Sequence, residues 1–112
     1  MKISLLYYES EADVRQREED SENYWGAWGG YIQAIHEAGI FAGGAGLQPS
    51  AFATTIRGGQ VQDGPYADTK DQLSGFVIID VPTLDDAMTW AAKAPCAKEG
   101  AVEIRPVLEM AP

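Results

Sequence analysis

One cysteine, one histidine and no long apolar run are the first limits on what this chain of 112 residues can be. The lone Cys96 excludes an intrachain disulfide and any cysteine-based zinc site built within one chain. Its neighbours Pro95 and Ala97 supply no cation or imidazole to favour a thiolate, so it reads as a packed structural thiol in a reducing compartment. Basic residues are scarce too: eight Lys and Arg stand against seventeen Asp and Glu, for a net charge of −9. Nucleic acid and anionic membranes attract clustered basic surfaces, so neither is an expected partner. The first residues hold too short an apolar stretch for a signal peptide, and nothing approaches a membrane span, so the expected location is cytoplasmic. Cofactor motifs are missing as well. Gly43-Gly44-Ala45-Gly46 lacks the Gly-Lys-Ser/Thr of a phosphate loop and, with Pro49 nearby, reads as an irregular short strand and bend.

What is present is the composition of a globular protein, 46% apolar and 22% charged, in a length suited to one core and one domain over residues 1–112. Ile3, Leu5 and Tyr7 alternate with Ser4, Leu6 and Tyr8, which predicts a first strand. Residues 9–20 are polar and charged and carry a short helix at 11–17, after which Ser21 is the expected N-cap of a longer one. From 22 to 38 the apolar positions Tyr24, Trp25, Trp28, Tyr31, Ile32, Ile35 and Ala38 follow three-and-four spacing, the mark of an amphipathic helix, which Gly39 ends. The internal pair Gly29-Gly30 weakens that helix by on the order of 1 kcal/mol per glycine and predicts close packing or a kink there. Residues 52–57 and 60–62 flank Gly58-Gly59 as a hairpin. A polar loop follows, then a nearly continuous apolar strand over 75–81. Thr83 with Asp86 caps a helix over 84–94, expected to bury Leu84, Ala87, Met88, Trp90 and Ala91, and residues 101–108 alternate as the last strand.

This order predicts an α+β fold, a ferredoxin-like β-α-β-β-α-β subunit with an extra hairpin strand. Both helices of such a unit cover one face of the sheet. The other face would carry one parity of the 75–81 strand with Leu6, Tyr8 and Val107, too apolar to stay exposed, so the chain is expected to pair with itself across a two-fold axis. Glu103 and Arg105 would then lie in or near the space between the two sheets.

The run Asp63-Gly64-Pro65-Tyr66-Ala67-Asp68-Thr69-Lys70, followed by Gln72-Leu73-Ser74-Gly75-Phe76 and a helix ending Trp90-Ala91-Ala92, resembles the YCII-related family. More narrowly it is similar to the branch named for a DGPFAETKE motif, with Tyr66 in place of Phe and Asp68 in place of Glu. Gly43-Gly44-Ala45-Gly46-Leu47-Gln48-Pro49 and Gly100-Ala101-Val102-Glu103-Ile104-Arg105-Pro106-Val107 extend the likeness over nearly the whole chain. The resemblance implies a dimeric α+β barrel. It also implies, for some members, a His–Asp dyad with the His near the start of the first long helix; one relative is a dehydrochlorinase acting on a chlorinated hydroxyquinol. Counting back from Gly39 puts Trp28 where that His would stand, so the dyad does not carry over. The branch is often encoded beside extracytoplasmic-function sigma factors, which implies such a factor as a partner.

His36, the only histidine, lies on the flank of its helix beside Glu37 and has no partner set for a metal, so its expected role is structural or solvent-facing. Asp63 and Lys70 belong to a charged loop beside a Gly-Pro turn and, with Glu103, Arg105 and Trp28, are the expected ligand contacts; the same loop residues also suit a purely structural turn. Arg105 suits a carboxylate, or is only paired with Glu103. Two functions follow from this set: a non-catalytic small-molecule-binding or regulatory dimer with no cofactor and no metal, or an enzyme on a small aromatic or anionic substrate with Asp63 or another cavity carboxylate as general base.

Overall fold

The computed structural model describes residues 1–110. β1 (Lys2–Glu9) sends Ile3, Leu5, Tyr7 and Glu9 to one side, where all four are buried, because successive residues of a strand face opposite ways. β1 lies between β5 (Gln72–Asp80) and β6 (Ala101–Pro106), and β2 (Phe41–Gly46) pairs with the far side of β5, giving the all-antiparallel order β2-β5-β1-β6. Three helices, α1 (Glu11–Glu19), α2 (Ser21–Glu37) and α3 (Leu84–Ala92), complete an α+β fold of ferredoxin-like arrangement. Val77, Ile79 and Val81 join Ile3, Leu5, Tyr31, Ile35, Ala87 and Ala91 in the core, which settles the parity of β5. Phe76 and Ile78 therefore face the other way with Leu6 and Tyr8, all half-buried, as do Glu103 and Arg105 beside them, both exposed. Such a two-layer slab accounts for the 18 Å shortest dimension.

α1 is held by a capping box, in which the Asp13 amide donates to Ser10 Oγ (3.1 Å) and the Ser10 amide donates to Asp13 Oδ2 (2.9 Å). Ser21 is not the N-cap of α2. Asp20 closes α1 and opens α2 at once, so the corner leaves no separate capping residue, and the Asp20 carboxylate instead accepts from Asn23 Nδ2 at 3.1 Å. Gly39 ends the helix at φ +72°, as its sequence position suggests. Gly58 and Gly59, both with positive φ, turn β3 (Thr54–Arg57) into β4 (Gln60–Asp63), the mark of a tight hairpin. This hairpin forms a separate two-stranded sheet and does not widen the main one.

Two packing expectations are corrected. Leu84 and Met88 are 47% and 50% exposed, because α3 docks through the small residues Ala87 and Ala91 with Trp90 packed half-buried beside them, which leaves Leu84 and Met88 turned outward. Gly29 and Gly30 face open space: a Cβ built on either meets nothing within 4 Å. They make no close packing, so Gly30→Ala should raise stability by about 0.5–1 kcal/mol through helix propensity and a less flexible unfolded chain. A urea denaturation midpoint checks this; a lower midpoint would mean that Gly30 has a contact partner.

Candidate functional site

The two crossover helices meet the sheet differently, and a hollow results. α3 sits close on its alanines, whereas α2 faces the sheet with Tyr24, Trp28 and Tyr31, bulky rings that hold it away. Opposite them β2 offers Gly43, Gly44, Ala45 and Gly46, almost without side chains to fill the gap. A cavity of about 440 Å³ opens there, walled by Tyr7, Tyr24, Trp25, Trp28, Ile32 and Phe41, with β2 and the 74–77 segment of β5 as its floor. The β-bulge at Ser74, where Tyr7 pairs with Gly75 but Tyr8 with Leu73, forms part of that floor.

The rings of this wall brace one another. Trp28 meets Tyr7 edge-on at 5.0 Å between centroids and Tyr31 at 5.9 Å. Tyr31 donates to the Trp90 carbonyl (3.1 Å), so the 2.9 Å bond between the two phenols has Tyr7 as donor. Burial first, and then this bond, raises the Tyr7 phenol, while Tyr31 is pushed up to about 12 by burial despite the donated proton. Both stay neutral: Tyr7 is part of the cavity wall, and Tyr31 braces it through the hydrogen bond.

Charge enters at one end. The half-buried Arg17 of α1 lies 4.9 Å from the Trp25 ring centroid and 5.9 Å from that of Tyr24, a cation–π arrangement at the cavity rim. Glu9 is only 2% exposed, and Tyr24 donates to its Oε2 at 2.6 Å. Burial pushes the Glu9 carboxyl above its ordinary value, with the Tyr24 hydrogen bond and Arg17 opposing and Asp13 adding to the rise. A small void bordered by Glu9 shares Arg17, Leu47, Gln48 and Ser74 with the cavity.

Of the residues singled out in the sequence, Trp28 lines this cavity, and Asp63, Lys70, Glu103 and Arg105 are not on its wall. Asp63 ends β4 and Lys70 lies in the loop beyond it, both exposed. Glu103 and Arg105 form an ion pair on the outer face of β6, Arg105 Nε to Glu103 Oε2 at 2.6 Å, with both side chains well exposed. An open groove on the loop side is bounded by Tyr8, Phe52, Pro65, Tyr66, Asp68 and Leu73. His36 is exposed and stacks on Phe41 at 4.0 Å, which puts it on the cavity rim. Cys96 is buried, its thiol pushed up to about 12 by burial and then by the Glu9 and Asp13 carboxylates, which fits a structural role. Among the described residues no three His, Cys, Asp or Glu side chains are grouped as a metal would require, and no helix is long and apolar enough to cross a membrane.

Glu9, Arg17 and Tyr24 were missed as site residues. Glu9 had a signal: it continues the alternation of Ile3, Leu5 and Tyr7, so it had to point inward. Tyr24 and Arg17 sit on separate helices, and nothing local announces their meeting.

The model of the YCII-related domain matches residues 1–111. The chain belongs to the YCII-related family. An uncharacterised protein of Rhizobium meliloti (strain 1021) is 42% identical over 77 residues, covering 63% of this chain, and the match spans 62% of that relative's length. In structure the chain resembles 5-chloro-2-hydroxyhydroquinone dehydrochlorinase from Burkholderia phenoliruptrix AC1100, solved in complex with 2,5-dihydroxybenzoquinone. The TM-score is 0.60 at 13% identity, over 98% of this chain and 96% of that one. At that identity the likeness is one of fold.

Proposed function

We propose that this chain is a small-molecule-binding protein of the YCII-related family, that its ligand is planar and largely apolar, and that it works as a homodimer. The carrying observation is the aromatic cavity of about 440 Å³ between α2 and the β2/β5 edge, inside the range of small-ligand sites and lined mainly by rings and glycines, with one cation at its rim. The 63–70 motif supports placing the chain in the branch named for it. The apolar outer sheet face, Leu6 beside Phe76 with Tyr8 and Ile78 near them, supports pairing of two copies there. That pairing would cover Glu103 and Arg105 and bring the 63–70 loop close to the join. In this reading the four charged residues Asp63, Lys70, Glu103 and Arg105 serve a second ligand contact or the partner copy, apart from the aromatic cavity.

The binding claim is tested with 4-nitroanisole, a flat neutral ring whose nitro group quenches tryptophan. Because Trp25 and Trp28 line the cavity, saturable quenching is expected. Quenching that rises only linearly with concentration, as in random collision, would refute the reading. For the dimer, sedimentation at micromolar concentration should show two chains associated, since a stable interface buries above roughly 1,200 Å². Ile78→Lys should return it to a monomer; a wild-type monomer would refute the sheet-face pairing.

A further inference from the structure

We infer that Tyr24 and Glu9 form a proton relay that takes a proton from an ionisable hydroxyl on the bound ligand, with Arg17 facing the anion left behind; this rests on the cavity reading above. The geometry has three parts. Tyr24 is part of the cavity wall, and its hydroxyl is committed as donor to Glu9 Oε2 at 2.6 Å, so its oxygen lone pairs are what it can offer a ligand. Glu9 sits behind it, buried on β1 and absent from the cavity wall, and borders a small void that has Arg17, Leu47, Gln48 and Ser74 in common with the cavity. Arg17 lies over the rings of Tyr24 and Trp25 and borders both the cavity and that void.

A structural reading of the Tyr24/Glu9 bond, as a helix-to-strand tie, needs no acid. A neutral amide would accept the same bond without the desolvation that a buried carboxylate suffers. A carboxyl held there by a tyrosine that also faces an apolar hollow is the arrangement of a base kept out of water. The groups that face Glu9 are Asp13, whose charge opposes ionisation, the buried Cys96 thiol, whose own ionisation Glu9 opposes, and Arg17, Tyr24 and Ser74, which favour it.

The step balances as a double transfer. The ligand O–H bond breaks as its proton moves to Tyr24 Oη, while the original Tyr24 O–H bond breaks and that proton moves to Glu9 Oε2. Tyr24 ends neutral, Glu9 ends as the acid, and the ligand carries the negative charge toward Arg17. No oxidant, metal or second reactant is involved.

The test compares 4-nitrophenol, which can ionise and whose anion has its own absorption band, with 4-nitroanisole, which cannot. Wild-type protein should hold 4-nitrophenol as the anion at least about one pH unit below its ionisation in water. Calorimetry in two buffers of different ionisation enthalpy should find no proton released on binding, because Glu9 keeps it. Tyr24→Phe, which removes one oxygen and keeps the ring, and Glu9→Gln should both bind 4-nitrophenol in its neutral form, and saturable quenching by 4-nitroanisole checks that each variant still has its cavity. If wild type binds both probes but holds 4-nitrophenol neutral, or if Tyr24→Phe still binds the anion, the relay is overturned and the cavity reading stands. If neither probe binds wild type, both fall together.

Discussion

Gly44→Ala is expected to lower the unfolding free energy by on the order of 3 kcal/mol, a large share of the roughly 5–15 kcal/mol that holds a domain folded. Gly44 has φ +149°, which L side chains rarely adopt. A Cβ there would run into the Phe76 carbonyl oxygen and lie 2.9 Å from Val77 Cα. Both are backbone atoms of β5, so no side-chain rotation relieves the clash; β2 must shift away, and the Gly44–Val77 pairing loosens with it. Gly46→Ala is the matched control, since nothing stands within 4 Å of its Cβ, and its effect should stay within about 0.5 kcal/mol. Urea titrations of the two variants measure this. Equal midpoints for Gly44→Ala and wild type would mean that β2 does not lie against β5 as described, and the floor of the cavity would be lost from the account.

Trp28→Ala should be the most damaging single change to binding. Its ring meets Tyr7 at 5.0 Å and Tyr31 at 5.9 Å and forms the middle of the aromatic wall, so its removal opens the cavity toward solvent and frees both phenols to move. The affinity for 4-nitroanisole is expected to fall at least about tenfold, or 1.4 kcal/mol. Stability should fall by about 2 kcal/mol, below the range for a fully buried tryptophan because Trp28 is only half-buried. Trp28→Phe should recover most of the stability and part of the binding. Quenching of the remaining Trp25 reports affinity, and thermal unfolding reports stability. Unchanged affinity in a folded Trp28→Ala would show that the ligand lies elsewhere.

Much of the architecture is legible because it follows local rules. Alternation in residues 3–8, three-and-four spacing in α2, the Thr83 cap and the Gly58-Gly59 turn each act within a few residues, and each appears in the structure. Failures begin where the outcome depends on what lies across the fold. Leu84 and Met88 satisfy helical spacing as well as Ala87 and Ala91, but the core takes the small pair, with Trp90 half-buried beside it, and leaves Leu84 and Met88 exposed. β5 is apolar on both parities, so pattern alone does not say whether Val77 or Phe76 faces the helices. The site was harder still, since a cavity comes from missing side chains on β2 set against large ones on α2, and neither segment shows the other in the sequence. The charged loop residues drew attention because charge is conspicuous, whereas Glu9 was hidden by its place at the end of an apolar strand.

The central claim, that the hollow between α2 and the β2/β5 edge is where this protein holds its ligand, is tested most directly by recording amide and indole NMR shifts while adding 4-nitroanisole. Saturable shifts are predicted for Trp28, Ile32, Gly44, Ala45 and Gly46, the residues that enclose the cavity. Shifts confined to Tyr66, Asp68 and Thr69 on the loop, or to Leu6, Ile78, Glu103 and Arg105 on the outer sheet face, with the cavity residues unmoved, would contradict it.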